Sequence, residues 1–138
     1  RTVHAVIACV ATPASTGLSS IAGRIHPVGR WETGGVFVRL GAGGRKVRVP
    51  LAPGSFTTME IAEVRPLGEG EKITLSGKTM LAFDGERDLP VSEFGTVTAH
   101  IEATGPLLID VERTLVLAAQ ALMFDETARH ISEENHVY

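Results

Sequence analysis

The clearest strand of the chain reads TVTAHIEA over residues 96–103. Its apolar side chains recur at every second position, including Val97, Ala99 and Ile101, and polar side chains fill the positions between them. A period of two is typical of a strand with one buried and one solvent-facing side. The stretch therefore predicts an antiparallel sheet that covers a core with one of its faces.

Short strands of this kind recur along the chain between turns rich in glycine. They are predicted at residues 3–10, 35–40, 45–50, 59–64, 71–76, 79–83, 87–91 and 107–109. Their spacing favours a mainly β fold, an antiparallel β-sandwich-like domain. Residues 41–44 (GAGG) are predicted to form a hairpin loop, and Gly77-Lys78 a tight turn that joins two paired strands.

Two segments favour helix, so we expect one short N-terminal helix and one C-terminal helix. Residues 15–25 begin with Ser and Thr, although two glycines lower their helix propensity. Residues 111–124 carry apolar side chains at helical spacing, and Asp110 stands at the N-cap position. We therefore predict a domain over residues 1–124 and a polar C-terminal tail over residues 125–138.

Composition limits the classes of protein that the chain can represent. Its 138 residues suit one domain, and 13 basic against 16 acidic side chains give a net charge of -3. This charge argues against a nucleic-acid partner, and no apolar run approaches the ~20 residues that a membrane-spanning helix needs. The single cysteine, Cys9, fits a reducing compartment. We therefore expect a cytoplasmic protein with no nucleic-acid or membrane partner.

The stretch VATPASTGLSSIAG at residues 10–23 is the strongest candidate for chemistry. It predicts a buried strand, then a turn dense in hydroxyl groups, then a short helix. Free backbone N–H groups beside Ser and Thr hydroxyls suit phosphate or ribose. Ordinary helix capping by these side chains is the simpler alternative. A hydrolase nucleophile elbow does not fit, because Ile21 stands where the Gly-x-Ser-x-Gly motif needs its last glycine.

Thr12 to Gly23, followed by Ile25-His26-Pro27, resembles the TPTGSTAYSLSAGG…HP signature of ATP-NAD kinases. LAFDGE at residues 81–86 is similar to the hydrophobic-Asp-Gly-Gln turn in the β domain of that family. The segments LSSIAG…HPV and AFDGER are most similar to the divergent branch that includes acetoin catabolism protein X. The resemblance extends nearly to Phe124, and its first signature is the specific one.

The resemblance implies a C-terminal β domain that binds an NAD-like substrate against an N-terminal α/β domain. The Gly-Gly-Asp-Gly and Asn-Glu/Asp motifs of that N-terminal domain do not occur in this sequence. We therefore expect no catalytic residue in this chain, which we interpret as the later portion of a longer protein. ATP and Mg²⁺ are expected for the intact protein and neither for this chain alone. We also expect a homo-oligomer.

The resemblance places substrate-binding residues in two stretches. They are Thr12, Ser15, Thr16, Gly17, Leu18, Ser19 and Ser20 in the first, and Asp84, Gly85 and Glu86 in the second. Leu18 stands where the family has Tyr, so a stacking ring is missing, and Glu86 stands where it has Gln. From the residues alone, Asp84 fits a turn former as well as a ligand contact.

Other hypotheses remain beside the kinase one. The departures at Leu18 and Glu86 fit a non-catalytic binding or assembly module that kept the fold and lost the chemistry. A β domain related to lipid kinases is a third alternative. Arg45, Lys46 and Arg48 could meet phosphates, but alternation along a strand favours a solvated basic face. The histidines show no metal-binding spacing, so no metal site is predicted.

Overall fold

The computed structural model describes residues 2–84 and 87–125. The chain divides into two compact units, residues 1–104 and residues 105–138. The first unit holds one helix and seven strands within the described residues. They are β1 (Ala5–Ala8), α1 (Ser19–Gly23), β2 (Gly35–Ala52), β3 (Ser55–Leu67), β4 (Lys72–Ser76), β5 (Thr79–Phe83), β6 (Arg87–Val91) and β7 (Thr96–His100).

The strands form a central sheet in the order β1-β2-β3 and two ribbons, β4-β7 and β5-β6. Every strand pair in the described part of the chain is antiparallel. The predicted class, mainly β with two helices, is therefore confirmed. The alternation that predicted the strand at residues 96–103 is also observed, since Ile101 is buried whereas Thr98 and His100 are exposed.

Each face of the central sheet covers its own apolar cluster. On one face, Val36, Val38 and Val49 of the sheet pack with Ile21 and Ala22 of α1. On the other face, Phe37 and Leu67 pack with Ile73 of β4 and with Ile101, which directly follows β7. Because neighbouring residues of β2 point to opposite sides, one strand serves both clusters. The two faces of this sheet therefore hold α1 and the β4-β7 ribbon in place.

The hairpin loop predicted at Gly41–Gly44 is wrong. Residues before and after this stretch both pair with β3, since Leu40 and Arg45 lie opposite the same residue, Ile61. The glycines therefore form a wide bulge inside one long strand, and the hairpin turns later, between Ala52 and Ser55. A side chain on Gly44 would overlap the backbone of Ile61, which explains glycine at that position.

The predicted pairing across Gly77-Lys78 is also wrong. β4 pairs with β7, so that Ile73 lies opposite Ala99 and Leu75 opposite Val97. The β5-β6 pair lies between these two strands in the sequence. Apolar side chains of β4 and β7 thus lie opposite one another, and this match favours pairing between strands that are distant in sequence.

The second unit contains helix α2 (Val111–Gln120). Its predicted start is confirmed, because the Asp110 side chain accepts a hydrogen bond from the Arg113 N–H at 3.0 Å. The helix ends at Gln120, four residues before the predicted Phe124. Leu122, just beyond this end, adopts a φ of 56°, which is not helical. The strand predicted at residues 107–109 is wrong, since these residues form no strand. The predicted tail beyond Asp125 lies outside the described residues.

Candidate functional site

The hydroxyl-rich turn and the His26-Pro27-Val28 stretch fold into one closed unit. Ala11 and Val28 exchange two backbone hydrogen bonds, of 3.0 Å from the Ala11 N–H and 2.8 Å from the Val28 N–H. The His26 N–H donates to the Ala22 carbonyl at 2.8 Å, which ties the return segment to α1. Both parts of the motif singled out from the sequence therefore belong to the same structural feature.

Two side chains close the turn from within. The Ser15 N–H donates to the Thr12 carbonyl at 3.0 Å, and the Thr12 N–H donates to the Ser15 Oγ at 3.0 Å. The two hydroxyl oxygens lie 3.3 Å apart, within hydrogen-bond distance. Such reciprocal bonds between side chain and backbone are typical of Ser/Thr turns. The Thr12 and Ser15 hydroxyls thus fix the shape of the turn.

Two glycines attach the turn to its surroundings. A side chain on Gly23 would overlap the Thr12 carbonyl, so α1 and the turn approach each other at this glycine. Gly17 adopts a φ of 76°, a left-handed conformation that glycine favours, and its N–H donates to the Pro50 carbonyl of β2 at 3.0 Å. The turn is therefore held against both the helix and the central sheet.

Helix α1 is shorter than the predicted span of residues 15–25 because Gly17 leaves helical geometry. Leu18 occupies the N-cap position and makes no side-chain capping bond. The capping alternative is therefore wrong for these hydroxyls. The Ser20 hydroxyl is buried and donates to the Gly17 carbonyl at 2.6 Å, while that of Ser19 donates to the Thr16 carbonyl at 3.2 Å.

Thr16 differs from its neighbours in the turn. Its side chain is exposed, and its hydroxyl has no hydrogen-bond partner within residues 2–84 and 87–125. Leu18, which stands beside it, is 45% exposed. Thr16 therefore offers a free donor and acceptor on a turn whose backbone is fixed on several sides.

The second predicted stretch lies on the β5-β6 ribbon rather than on the central sheet. Asp84 is exposed and adopts a φ of 52°, as a turn former does. An open surface depression is lined by Phe83, Arg87, Asp88 and Leu89 of the same ribbon. Gly85 and Glu86 lie outside the described residues. In the described part of the chain, no hydrogen bond or ion pair joins Asp84 to the turn at Thr12–Ser20.

The predicted basic strand face divides into residues with different surroundings. Lys46 lies 3.7 Å from a carboxylate oxygen of Glu60, as a solvated ion pair would. Arg48 lies instead over the ring of Phe56, with 4.7 Å from its guanidinium carbon to the ring centroid. Phe56 was not predicted from the sequence, because its contact with Arg48 depends on the register between β2 and β3.

Neither described stretch of the chain contains three His, Cys, Asp or Glu side chains close enough together to hold a metal ion. No helix among the described residues is long and apolar enough to cross a membrane.

The comparison with known families decides the affiliation of the first unit. The family model described as acetoin catabolism protein X C-terminal domain matches residues 1–104. The chain belongs to this family. The match ends at the same residue as the first compact unit, so the described turn, sheet and ribbons all lie within the family domain.

A relative supports the same affiliation. Acetoin catabolism protein X of Cupriavidus necator is 39% identical over 109 residues, which cover 74% of this chain and 30% of the relative. The chain thus spans about 30% of the length of that protein. No solved structure matches the chain.

Proposed function

We propose that the chain is the NAD-like substrate-binding domain of a phosphotransferase that resembles ATP-NAD kinases. The observation that carries this proposal is the free hydroxyl of Thr16 on a turn anchored to α1 and β2. An exposed hydroxyl on a fixed backbone suits recognition of a ligand sugar or phosphate, since little ordering entropy is lost on binding. Membership of the acetoin catabolism protein X family supports a role in acetoin catabolism.

The remaining parts of the proposal concern the intact protein. As the resemblance to ATP-NAD kinases implies, we assign ATP and Mg²⁺ to a separate N-terminal α/β domain. The proposed ligand contacts are the exposed or partly exposed residues Thr12, Ser15, Thr16, Gly17, Leu18 and Ser19, together with Asp84 directly after β5. Gly85 and Glu86, which lie outside the described residues, are proposed contacts as well. Ser20, which is buried, supports the turn. We further propose a cytoplasmic homo-oligomer.

A second candidate is a binding or assembly module without kinase chemistry. One observation favours it: the Thr12, Ser15 and Ser20 hydroxyls bond within the turn itself. Hydroxyls used in this way stabilise the local structure and are less available to a ligand. Leu18, which stands where ATP-NAD kinases have an aromatic ring, also favours a module without kinase chemistry.

A thermal-shift titration of the full chain separates these candidates. We expect NAD to raise the melting temperature of the natural chain, because a ligand that binds the folded state alone stabilises it. The shift should be lost in the Thr16→Ala variant, which removes the free hydroxyl. Thr98→Ala, at an exposed position of β7, is the matched control and should keep the full shift.

An NAD shift that survives in Thr16→Ala contradicts the proposed contact. The absence of any shift with NAD or ATP favours the non-catalytic module. A shift with diacylglycerol, and none with nucleotide, favours the lipid-kinase-related alternative.

A further inference from the structure

One side of β3 is a free edge in the part of the chain that the structure describes. Its other side pairs with β2, and no further backbone hydrogen bond among the described residues reaches β3. At 13 residues, β3 is much longer than β1 and β4 to β7, which have four or five. The outward N–H and C=O groups of such an edge can pair with a strand of another molecule.

The half of β3 next to the hairpin turn lacks the features that protect edge strands. Natural edges are protected by charged side chains, proline or a bulge. Residues 62–67 contain two charges, Pro66 and an irregular register with β2. Residues 55–61, in contrast, contain one charge, Glu60, and no proline, and four of the seven are aromatic or β-branched, the types that strands favour. We call residues 55–61 the open edge.

An arginine without an acidic partner lies beside the open edge. Arg48 of β2 is directly opposite Thr58, and its guanidinium carbon lies 4.7 Å from the ring centroid of Phe56, which draws the cation toward β3. No acidic side chain in the described part of the chain pairs with it. Alternation along β2 places Arg48 on the face away from α1, because Val49 packs in the cluster that contains this helix.

We propose that the open edge pairs antiparallel with the open edge of a second copy of the chain, about a twofold axis at Thr58. Such a contact is self-complementary, since each copy offers the same surface. Thr58 then lies opposite Thr58 of the second copy, and Phe56 lies opposite Glu60 of the second copy. The guanidinium held over Phe56 thus meets a carboxylate across the interface, and the symmetry repeats this ion pair.

The inference names the contact surface of the homo-oligomer and rests on the proposed function in that respect alone. The contact lies on the β2-β3 pair and uses none of the residues assigned to ligand binding. Association can therefore be measured without NAD.

Sedimentation velocity of the full chain tests the association, and we expect a concentration-dependent dimer. Thr58→Glu should weaken the dimer about tenfold or more, because two carboxylates would then face each other across the axis. Within one chain the new carboxylate lies opposite Arg48, so the fold is not strained. Thr98→Glu, the same change at an exposed position of β7, is the matched control and should keep the dimer constant within about twofold.

The ion pair across the interface has its own test. Arg48→Gln should weaken the dimer severalfold and reduce its dependence on salt concentration, as expected for the loss of two exposed ion pairs. Arg45→Gln is the matched control, because Arg45 is also exposed but lies on the opposite face, with Val47 and Val49. Equal effects of the two glutamine variants would contradict the ion pair.

Disulfide trapping tests the register, in a Cys9→Ala background because Cys9 is exposed. Thr58→Cys should give a covalent dimer under mild oxidation, since directly opposite residues lie within disulfide distance. Thr57→Cys is the matched control. In the same pairing Thr57 lies opposite Met59 of the second copy, so the two introduced thiols are too far apart to bond.

A natural chain that stays monomeric up to its solubility limit overturns the proposal. So does a dimer that Thr58→Glu leaves intact, or equal trapping of the two cysteine variants. A monomer that still shows the Thr16-dependent shift with NAD overturns this inference and leaves the proposed ligand contact in place. A dimer that is trapped at Thr58 but shows no shift with NAD supports the open edge and contradicts the proposed substrate.

Discussion

At the scale of single residues, the shape of the candidate site depends on one close backbone contact. Gly23 ends α1, is buried, and lies so near the Thr12 carbonyl that no side chain fits between them. The carbonyl belongs to the backbone of the turn and cannot rotate away as a flexible side chain could. The turn and the helix therefore have to separate if Gly23 acquires a Cβ atom.

Replacing Gly23 with alanine should lower the free energy of unfolding by about 1–3 kcal/mol, as other overpacking substitutions do. Chemical denaturation followed by circular dichroism measures this change. Gly68→Ala is the control, because a Cβ atom there meets nothing within 4 Å, and it should change stability by less than about 1 kcal/mol. Equal stability of the natural chain and the Gly23→Ala variant would show that the contact is not as close as described.

At the scale of elements, features that depend on neighbouring residues were predicted correctly from the sequence, whereas the pairing of distant strands was not. The start of α2 was predicted correctly because Asp110 caps the helix through bonds to residues three and four positions away. The hairpin at Gly41–Gly44 was predicted wrongly because glycine is common both in hairpin loops and in bulges. Only the pairing of both flanking segments with β3 distinguishes the two, and that pairing is a property of the whole sheet.

Helix α2 provides the prediction at this scale. None of its residues is buried, and an isolated helix of ten residues is only marginally stable, so its cap has a large share in its stability. Asp110→Ala should destabilise the helix by about 1 kcal/mol, whereas Asp110→Asn keeps a capping oxygen and should change it little. The Cα chemical shifts of residues 111–120 measure helix content. Unchanged shifts in the alanine variant would contradict the role of the cap.

At the scale of the whole molecule, the fold class could be predicted from the sequence. The layout of the candidate site could be predicted only in part. Alternation and turn spacing gave a mainly β fold, and the hydroxyl-rich turn was located from its residues and its resemblance to ATP-NAD kinases. The free hydroxyl of Thr16 could not be predicted, since it depends on which neighbours bond to one another. The contact between Arg48 and Phe56 could not be predicted either, because it depends on the register of β2 and β3.

The chain therefore presents a rigid turn beside the end of a long strand, within a domain of the acetoin catabolism protein X family. In the proposed function, this turn binds a nucleotide-like ligand. The proposed function therefore depends on the location at which the ligand binds.

Amide chemical-shift mapping of the ¹⁵N-labelled chain during titration with NAD tests that location most directly. We expect saturable shifts of the amides at residues 12 and 14–19, and little change in α2. Shifts confined to other parts of the chain, or no shifts at millimolar NAD, would contradict it.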